Sequence, residues 1–389
     1  MFANAVCLVR KASQSLYSRA TYATEATLKC EPAKLHRFEK GPSTEDVFKK
    51  DEAQALIQQM YTVRAMEDEL ASLYKQKKSR GFCHLYQGQE AICCGVKSRL
   101  GPKDTVITSY RCHPWTVVMG APIVGVLAEL QGKVTGISKG KGGSMHIYAD
   151  HFYGGNGIVG AQVPLGTGLG LKNKYNNDGG FSVTAYGDGA ANQGQVAEAF
   201  NIAKLWSLPV LYLIENNLYG MGTSAQRASA NTDYYQRGDL IPGIQVDGMD
   251  IVAVRTAMDF AKEHFKAGKG PILIETRTYR YLGHSMSDAA NYRTREEIKE
   301  VRDNRDPINK FKKKLLEAGL LTEDEIKKAK DEGKKIVKAA SAQSQKDKDI
   351  ELTELGYDVY AHNLEGRIRR TAVYDTMEHK VLGKVINLK

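Results

Sequence analysis

Two apolar runs of strand length, residues 181–186 (FSVTAY) and 208–214 (LPVLYLI), bracket a stretch with apolar residues at Val196, Phe200 and Ala203, which is helical spacing. Glycines break the first run at Gly187-Asp188-Gly189, and the second ends in the polar Glu215-Asn216-Asn217. The pattern predicts a strand, a tight turn, a helix over 192–206 and a second strand. Such a βαβ unit makes its strands parallel. It therefore delivers Asp188 and Asn217, 29 positions apart, to the same carboxyl edge of one sheet, where open α/β sheets bind ligands.

The rest of the chain reads in the same terms. A broad apolar stripe (Leu56, Met60, Val63, Leu70, Leu73, Tyr74) predicts a long amphipathic helix over 51–78. A loop follows over 81–88, then a helix over 89–100, a short strand over 106–109 and a helix over 123–131. Residues 136–164 are glycine-rich without periodicity and read as a long loop system, which in compact folds is usually functional. A glycine-containing helix resumes over 166–173. After the βαβ unit come a helix over 251–267, a strand over 271–279 and a polar loop over 282–291. Thr294 and Glu297 form a capping box that starts the next helix. The Lys/Glu-rich stretch 310–348 reads as helix with sparse apolar contacts. The expected fold is α/β, a doubly wound parallel sheet with helices on both faces, occupying 51–305. An N-terminal arm (25–50) precedes it and a charged helical extension (306–389) follows.

Composition narrows the class. Hydrophobic residues make up 42% and charged ones 26% of 389 residues, enough apolar material for a sizeable core. No run of about 18 apolar residues exists, so no membrane span is expected. The net charge is +10, but Arg10, Lys11 and Arg19 fall in the first 24 residues, which hold no acid. That stretch, Ser-rich with Val6, Leu8, Val9 and Leu16, reads as a mitochondrial presequence. The six cysteines show no CxxC and no paired framework, which points to free thiols in a reducing compartment. The basic tail is interleaved with acids and reads as a solvated helical face, so nucleic-acid binding is not expected.

Asp188 offers a hard anionic oxygen and Asn217 an amide oxygen, a pair suited to Mg²⁺, which takes its remaining ligands from phosphates and water. Gly187 and Gly189 allow close approach of a phosphate, and the following helix points free N–H groups at it. The edge therefore reads as a site for Mg²⁺ and a diphosphate. Two other phosphate motifs fail. The run from Gly187 lacks the third glycine of a dinucleotide fingerprint, and 139–144 (KGKGGS) lacks P-loop spacing.

Gly-Asp-Gly, this spacer and Asn-Asn resemble the thiamine diphosphate signature of the transketolase-like enzymes. The flanks (YGDGAANQGQVAEAFNIAKLWSLPVLYLIENNLYGMGTS) are similar to the alpha subunits of the 2-oxo acid dehydrogenases, within which those acting on pyruvate match best, from about Phe38 to about Arg305. The resemblance implies a transketolase-like fold, its diphosphate half, and thiamine diphosphate with Mg²⁺ as cofactors. It assigns the metal to Asp188, Asn217 and the carbonyl of Tyr219. The cofactor falls to Tyr110, Arg111, Ala149, Gly157, Val159, Asp188, Gly189, Ala190, Asn217, Tyr219 and His284, with Val159 as the aliphatic wedge. It makes His84 the substrate-side histidine and His284 the one facing the reacting centre, imidazoles with pKa values near neutrality that can move protons. The other histidines, His113 and His264 among them, read as ordinary solvated or capped side chains. Pro114 stands where the family commonly has glycine, which questions the local loop geometry.

The same resemblance implies inhibition by phosphorylation at Ser285 and, secondarily, at Ser224; a third family position is absent because 289–291 (AAN) holds no serine. It implies a beta subunit supplying the glutamate that activates the cofactor, in a heterotetramer of two alpha and two beta chains. A lipoyl-bearing acetyltransferase core and a regulatory kinase and phosphatase complete the expected partners, in the mitochondrial matrix. The rival readings are the branched-chain or acetoin enzyme, or a nucleotide-binding module without catalysis.

Overall fold

The computed structural model describes residues 23–383 apart from Leu364 and Val373. The expected presequence lies outside the described residues except for Ala23 and Thr24. The chain opens with β1 (Glu25–Lys29), β2 (Lys34–His36) and β3 (Glu45–Lys49), then α1 (Lys50–Lys75), α2 (Glu90–Lys97), β4 (Thr105–Ser109), α3 (His113–Val118) and α4 (Ile123–Leu130). Next come β5 (Phe152–Asn156), α5 (Gln162–Asn176), β6 (Ser182–Gly187), α6 (Gly194–Leu205) and β7 (Val210–Asn216). A small hairpin of β8 (Tyr219–Gly220) and β9 (Thr223–Ser224) leads to α7 (Ala225–Ala228), β10 (Gly243–Asp247), α8 (Ile251–Lys266) and β11 (Ile272–Arg277). The chain finishes with α9 (Arg295–Arg305), α10 (Pro307–Glu317), α11 (Glu323–Ser344) and the hairpin β12 (Arg367–Arg369)–β13 (Thr376–Glu378).

The middle layer is a seven-stranded sheet in the order β2-β10-β11-β7-β6-β4-β5. Only β2 runs antiparallel, on the edge beside β10. The other neighbours are parallel, and helices cover both faces, as the doubly wound pattern predicts. Because both faces are covered, β7 runs apolar without alternation as far as Ile214, and every residue of it is buried. The chain leaves β4 toward β5 and leaves β6 toward β7, in opposite directions along the sheet. The carboxyl ends of these two neighbours therefore flank the crevice where such sheets take ligands.

The helices of the C-terminal third build into the main core. Ile308, Phe311, Leu315, Leu320, Ile326 and Val337 share one hydrophobic cluster with α1 and α8. Helix α11 lies along α1 so closely that a Cβ on Gly333 would sit 2.8 Å from Thr62 Oγ1. Ser341 Oγ donates to Glu69 (2.6 Å), and Lys50 pairs with Glu325 (2.8 Å) across the same contact.

Several local expectations change. The stretch 310–348 is two helices, because Gly319 turns left-handed (φ +62°) and Thr322 restarts the chain with a reciprocal capping box to Glu325. At Thr294 only half of the expected box forms. Its hydroxyl accepts from Glu297 N–H (3.1 Å), but the Glu297 carboxylate accepts from the Tyr279 hydroxyl (2.7 Å). The loop system 136–164 contains β5 and the first turn of α5. Pro114, the departure from family pattern, sits in the first turn of α3, where the missing N–H has no helical partner to lose.

Candidate functional site

Parallel pairing of β6 with β7 sets Gly187 opposite Glu215, which brings Asp188 and Asn217 out side by side. Asp188 is buried, and burial pushes its carboxyl up to about 6 against the opposing pull of its own backbone N–H and of Arg280. Asn217 Nδ2 donates to Gln89 Oε1 (3.2 Å), while Asn217 Oδ1 is buried without a partner. Leu218 then takes φ +74°, an uncommon conformation for a leucine. This bend folds the chain back so that Tyr219 and Gly220 return to the same crevice. There a Cβ on Gly189 would lie 3.3 Å from Gly220 Cα, tighter than an ordinary contact. A turn of 3-10 helix (Ala190–Asn192) follows Gly189, so α6 begins at Gly194 rather than at Asn192.

Gln89, Asp188, Gly189, Asn217, Tyr219 and Gly220 line a cavity of about 410 Å³, together with Tyr110, Arg111, Val159, Arg280 and His284. Tyr110 and Arg111 arrive from the end of β4, across the crevice from β6. Arg111 is buried and donates to the carbonyls of Leu85 and His284 (2.9 Å to the latter). One guanidinium thus ties together the loops carrying the two candidate histidines. The His84 ring lies 4.6 Å from that of Tyr110 and 5.3 Å from that of His284. Burial, then the charge of Arg111, lowers both imidazoles, His84 to about 2 and His284 to about 3. Both are neutral at physiological pH, which corrects the expectation of near-neutral pKa values. Each keeps a buried Nδ1 without a partner.

The remaining predicted residues fall as follows. Ala190 lines the cavity, whereas Ala149 and Gly157 do not. Ala149 bridges to Phe152 at the start of β5, and Gly157 packs beside the His146 ring. Ser285 follows His284, is nearly buried, and its hydroxyl lies 2.9 Å from that of Ser287. Its loop is pinned by Arg293, whose guanidinium donates to the carbonyls of Arg280 and Leu282. Ser224 caps α7 by accepting from Arg227 N–H (3.3 Å). Among the described residues no group of three His, Cys, Asp or Glu side chains is arranged to hold a metal. With Glu215, the lining's other carboxyl, bonded to Tyr86 and Trp115, Asp188 and Asn217 with nearby carbonyls are the donor set of an ion that takes its other ligands from phosphate.

A family profile described as "Dehydrogenase E1 component" matches residues 58–353. The chain belongs to that family. Curated relatives agree. The chain is 53% identical over 359 residues to "Pyruvate dehydrogenase E1 component subunit alpha type II, mitochondrial" of Ascaris suum, covering 92% of each chain. It is 51% identical over 349 residues to the mitochondrial pyruvate dehydrogenase E1 alpha subunit of Sminthopsis macroura, covering 90% of this chain and 96% of the relative. To the human somatic form it is 49% identical over 361 residues, covering 92% and 93%. The likeness to E1 chains therefore extends past Arg305, where the sequence reading ended it, into α10 and α11.

Three residues of the E1 cavity wall escaped the sequence reading, and a fourth residue, His113, was misread outside that lining. Gln89 lines the cavity and holds Asn217. Arg280 is fully buried at the cavity wall; burial and the nearby Arg111 lower it to about 10. Glu215 is the other carboxyl of the lining. It accepts from the Tyr86 hydroxyl and from Trp115 Nε1 (3.2 Å), and burial raises it to about 7. His113, read as an ordinary solvated side chain, is instead wholly buried between Glu67 Oε1 (3.1 Å) and Ser144 Oγ (3.0 Å). The one available signal for Glu215 was a carboxylate closing an otherwise apolar strand.

Proposed function

We propose that this E1 chain is the alpha subunit of a pyruvate dehydrogenase, working in the mitochondrial matrix with Mg²⁺ and thiamine diphosphate. The family is thiamine diphosphate dependent, and the pyruvate assignment follows the names of the relatives given above. The observation that carries the reading is the buried, unpartnered Asn217 Oδ1 beside Asp188, with Gly189 leaving its backbone bare next to them. An anionic oxygen, an amide oxygen and an open glycine backbone fit a magnesium–diphosphate pair. Asp188, Asn217 and the Tyr219 carbonyl would hold the metal. Arg111 and Arg280 would lend positive charge to the diphosphate.

When bound, thiamine diphosphate would supply a nucleophilic carbon and a sink for the electron pair released on decarboxylation of a 2-oxo acid. Tyr110 and His284 line the cavity where the reacting atoms would lie, and His84 packs against both rings just outside that lining. Their neutral imidazoles can each give or accept one hydrogen bond at the substrate's oxygens without carrying a charge that would compete with the arginines. Val159, 40% exposed in the lining, is the apolar wedge against the cofactor's bend. Ala149 and Gly157 remain expected pyrimidine contacts through their backbone.

The cavity's two carboxyls, Asp188 and Glu215, both stand at the strand-end side, and Glu215 is already bonded to Tyr86 and Trp115. In keeping with the family resemblance, the glutamate that activates the pyrimidine would come from a beta subunit, in a heterotetramer of two alpha and two beta chains. The acetyl unit then passes reductively to a lipoyl group on an acetyltransferase core. A kinase and a phosphatase regulate the reaction through Ser285, with Ser224 as a second site. A dianionic phosphate cannot stay in the nearly buried Ser285 environment, so modification would force the loop open. If Ser285→Ala leaves kinase inhibition of the reconstituted enzyme undiminished, Ser285 is not the switch.

A further inference from the structure

We propose that Gln89 is a positioning residue of the metal–diphosphate site: its side-chain carbonyl fixes which end of the Asn217 amide faces the cation, and its NH₂ group binds a diphosphate oxygen. The inference rests on the magnesium–diphosphate reading of the cavity and extends it to a residue on another element.

Gln89 stands immediately before α2, where a side chain commonly caps the helix, yet it makes no capping bond. Its backbone is held rigidly on either side. Gly88 takes φ +99°, and a Cβ there would meet the Tyr279 carbonyl at 2.3 Å. The Gly88 N–H donates to both oxygens of Glu90 (3.1 and 3.2 Å), and Glu90 is paired with Arg64, which also reaches Asp306 (3.1 Å). From this fixed point the Gln89 side chain, only 1% exposed, crosses into the cavity.

Gln89 Oε1 accepts from Asn217 Nδ2 at 3.2 Å. Asn217 has one amide oxygen, and committing its nitrogen to Gln89 leaves that oxygen as the end of the amide available to a cation. That oxygen is buried and unpartnered, and so is Gln89 Nε2. Buried polar atoms in folded proteins are almost always hydrogen-bonded, so these two, on residues already bonded to each other in a cavity that also holds the unpartnered Gln162 Oε1 and His284 Nδ1, need a reason. One is an acceptor and the other a donor. A cation bound next to an anion satisfies both at once: the metal takes the Asn217 oxygen, and a phosphate oxygen takes the Gln89 N–H. Without Gln89 the Asn217 amide could rotate and present N–H groups to the metal.

The test uses the enzyme reconstituted with its beta subunit, with Mn²⁺ as the metal probe. Free Mn²⁺ is read by electron paramagnetic resonance at saturating thiamine diphosphate. Thiamine diphosphate affinity is read by tryptophan fluorescence at saturating Mg²⁺. Gln89→Met keeps the length and removes both functions, so Mn²⁺ should bind roughly 10- to 100-fold more weakly. Gln89→Glu keeps the acceptor for Asn217 but replaces the donor by a negative charge. It should hold Mn²⁺ within about threefold of wild type and lose roughly tenfold in thiamine diphosphate affinity. Unchanged heterotetramer assembly and melting temperature would show that both variants fold. Wild-type affinities for both ligands in Gln89→Met would overturn the proposal, as would equal loss of Mn²⁺ in Gln89→Met and Gln89→Glu. Asp188→Asn separates this from the underlying reading. If it binds Mn²⁺ as wild type does, the metal site itself is misplaced, whatever Gln89 does.

Discussion

At the Asp188–Asn217 end of the cavity, the side chains sit on strands whose register is set by the parallel ladder of β6 and β7 in the middle of the sheet. At the His84–His284 end, they sit on loops held by Arg111 and Arg293 reaching backbone carbonyls. The first end cannot shift without breaking the core. The second depends on a few charge-assisted hydrogen bonds, each worth about 1.5–3 kcal/mol, and can be loosened locally. Binding of an anchor belongs on the rigid end, and control belongs on the other. The placement of Ser285 in the loop that Arg293 pins agrees with that division.

The sharpest way to break the comparison is at the rigid end. Asp188→Asn removes the anionic ligand and should weaken Mn²⁺ and thiamine diphosphate binding by roughly 100-fold or more, more than loss of an outer partner costs, while circular dichroism stays unchanged. At the loop end, Arg293→Met should do the opposite. Chymotrypsin cleavage within 282–295, which holds Leu282, Met286 and Tyr292, should speed up by about tenfold and kcat should fall, with Mn²⁺ affinity within about twofold of wild type. Should Arg293→Met instead weaken Mn²⁺ as much as Asp188→Asn, the two ends are not separate.

Away from both ends, Gly333→Val overfills the contact of α11 with Thr62 on α1 and should cost about 1–3 kcal/mol of stability with metal binding intact. Thermal melting reads the first and Mn²⁺ titration the second. The smallest expected effect concerns His264 on α8, whose imidazole burial lowers to about 4 from an ordinary value of 6.5. Above pH 6.5 both the folded and unfolded chains are neutral there. Between pH 6.5 and 4 the unfolded chain takes up the proton and the folded chain does not, so stability falls as pH falls through that window. His264→Phe should flatten the slope of melting temperature against pH between 6.5 and 4.5, and an unchanged slope would remove His264 from the account.

The strand-end half was legible because its signals are local: an apolar run, glycines at its end, a polar pair at the end of the next run. Asp188 and Asn217 follow from β6, α6 and β7 with no long-range information. The loop half was legible only through resemblance, since His84, Tyr110 and His284 come from three distant segments that no local pattern joins. Gln89, Arg280 and His113 were missed for the same reason. Each acquires its role from a partner far along the chain (Asn217, Asp188 and Arg111, Glu67 and Ser144), and glutamine before a helix or arginine after a strand has no distinctive spacing. Helices α10 and α11 looked peripheral because their apolar residues are sparse. A few large side chains, Phe311 and Leu315 among them, are nevertheless enough to seat them on α1 and α2.

The central claim is that this chain holds half of a catalytic site. The direct measurement is carbon dioxide release from pyruvate, with Mg²⁺ and thiamine diphosphate, by the purified chain alone and after reconstitution with a beta subunit, with 2-oxoisovalerate run in parallel. The account predicts no turnover by the chain alone and turnover of pyruvate ahead of 2-oxoisovalerate by the reconstituted enzyme, lost in Asp188→Asn. Equal decarboxylation by the chain alone would contradict it, and faster release from 2-oxoisovalerate would contradict the substrate.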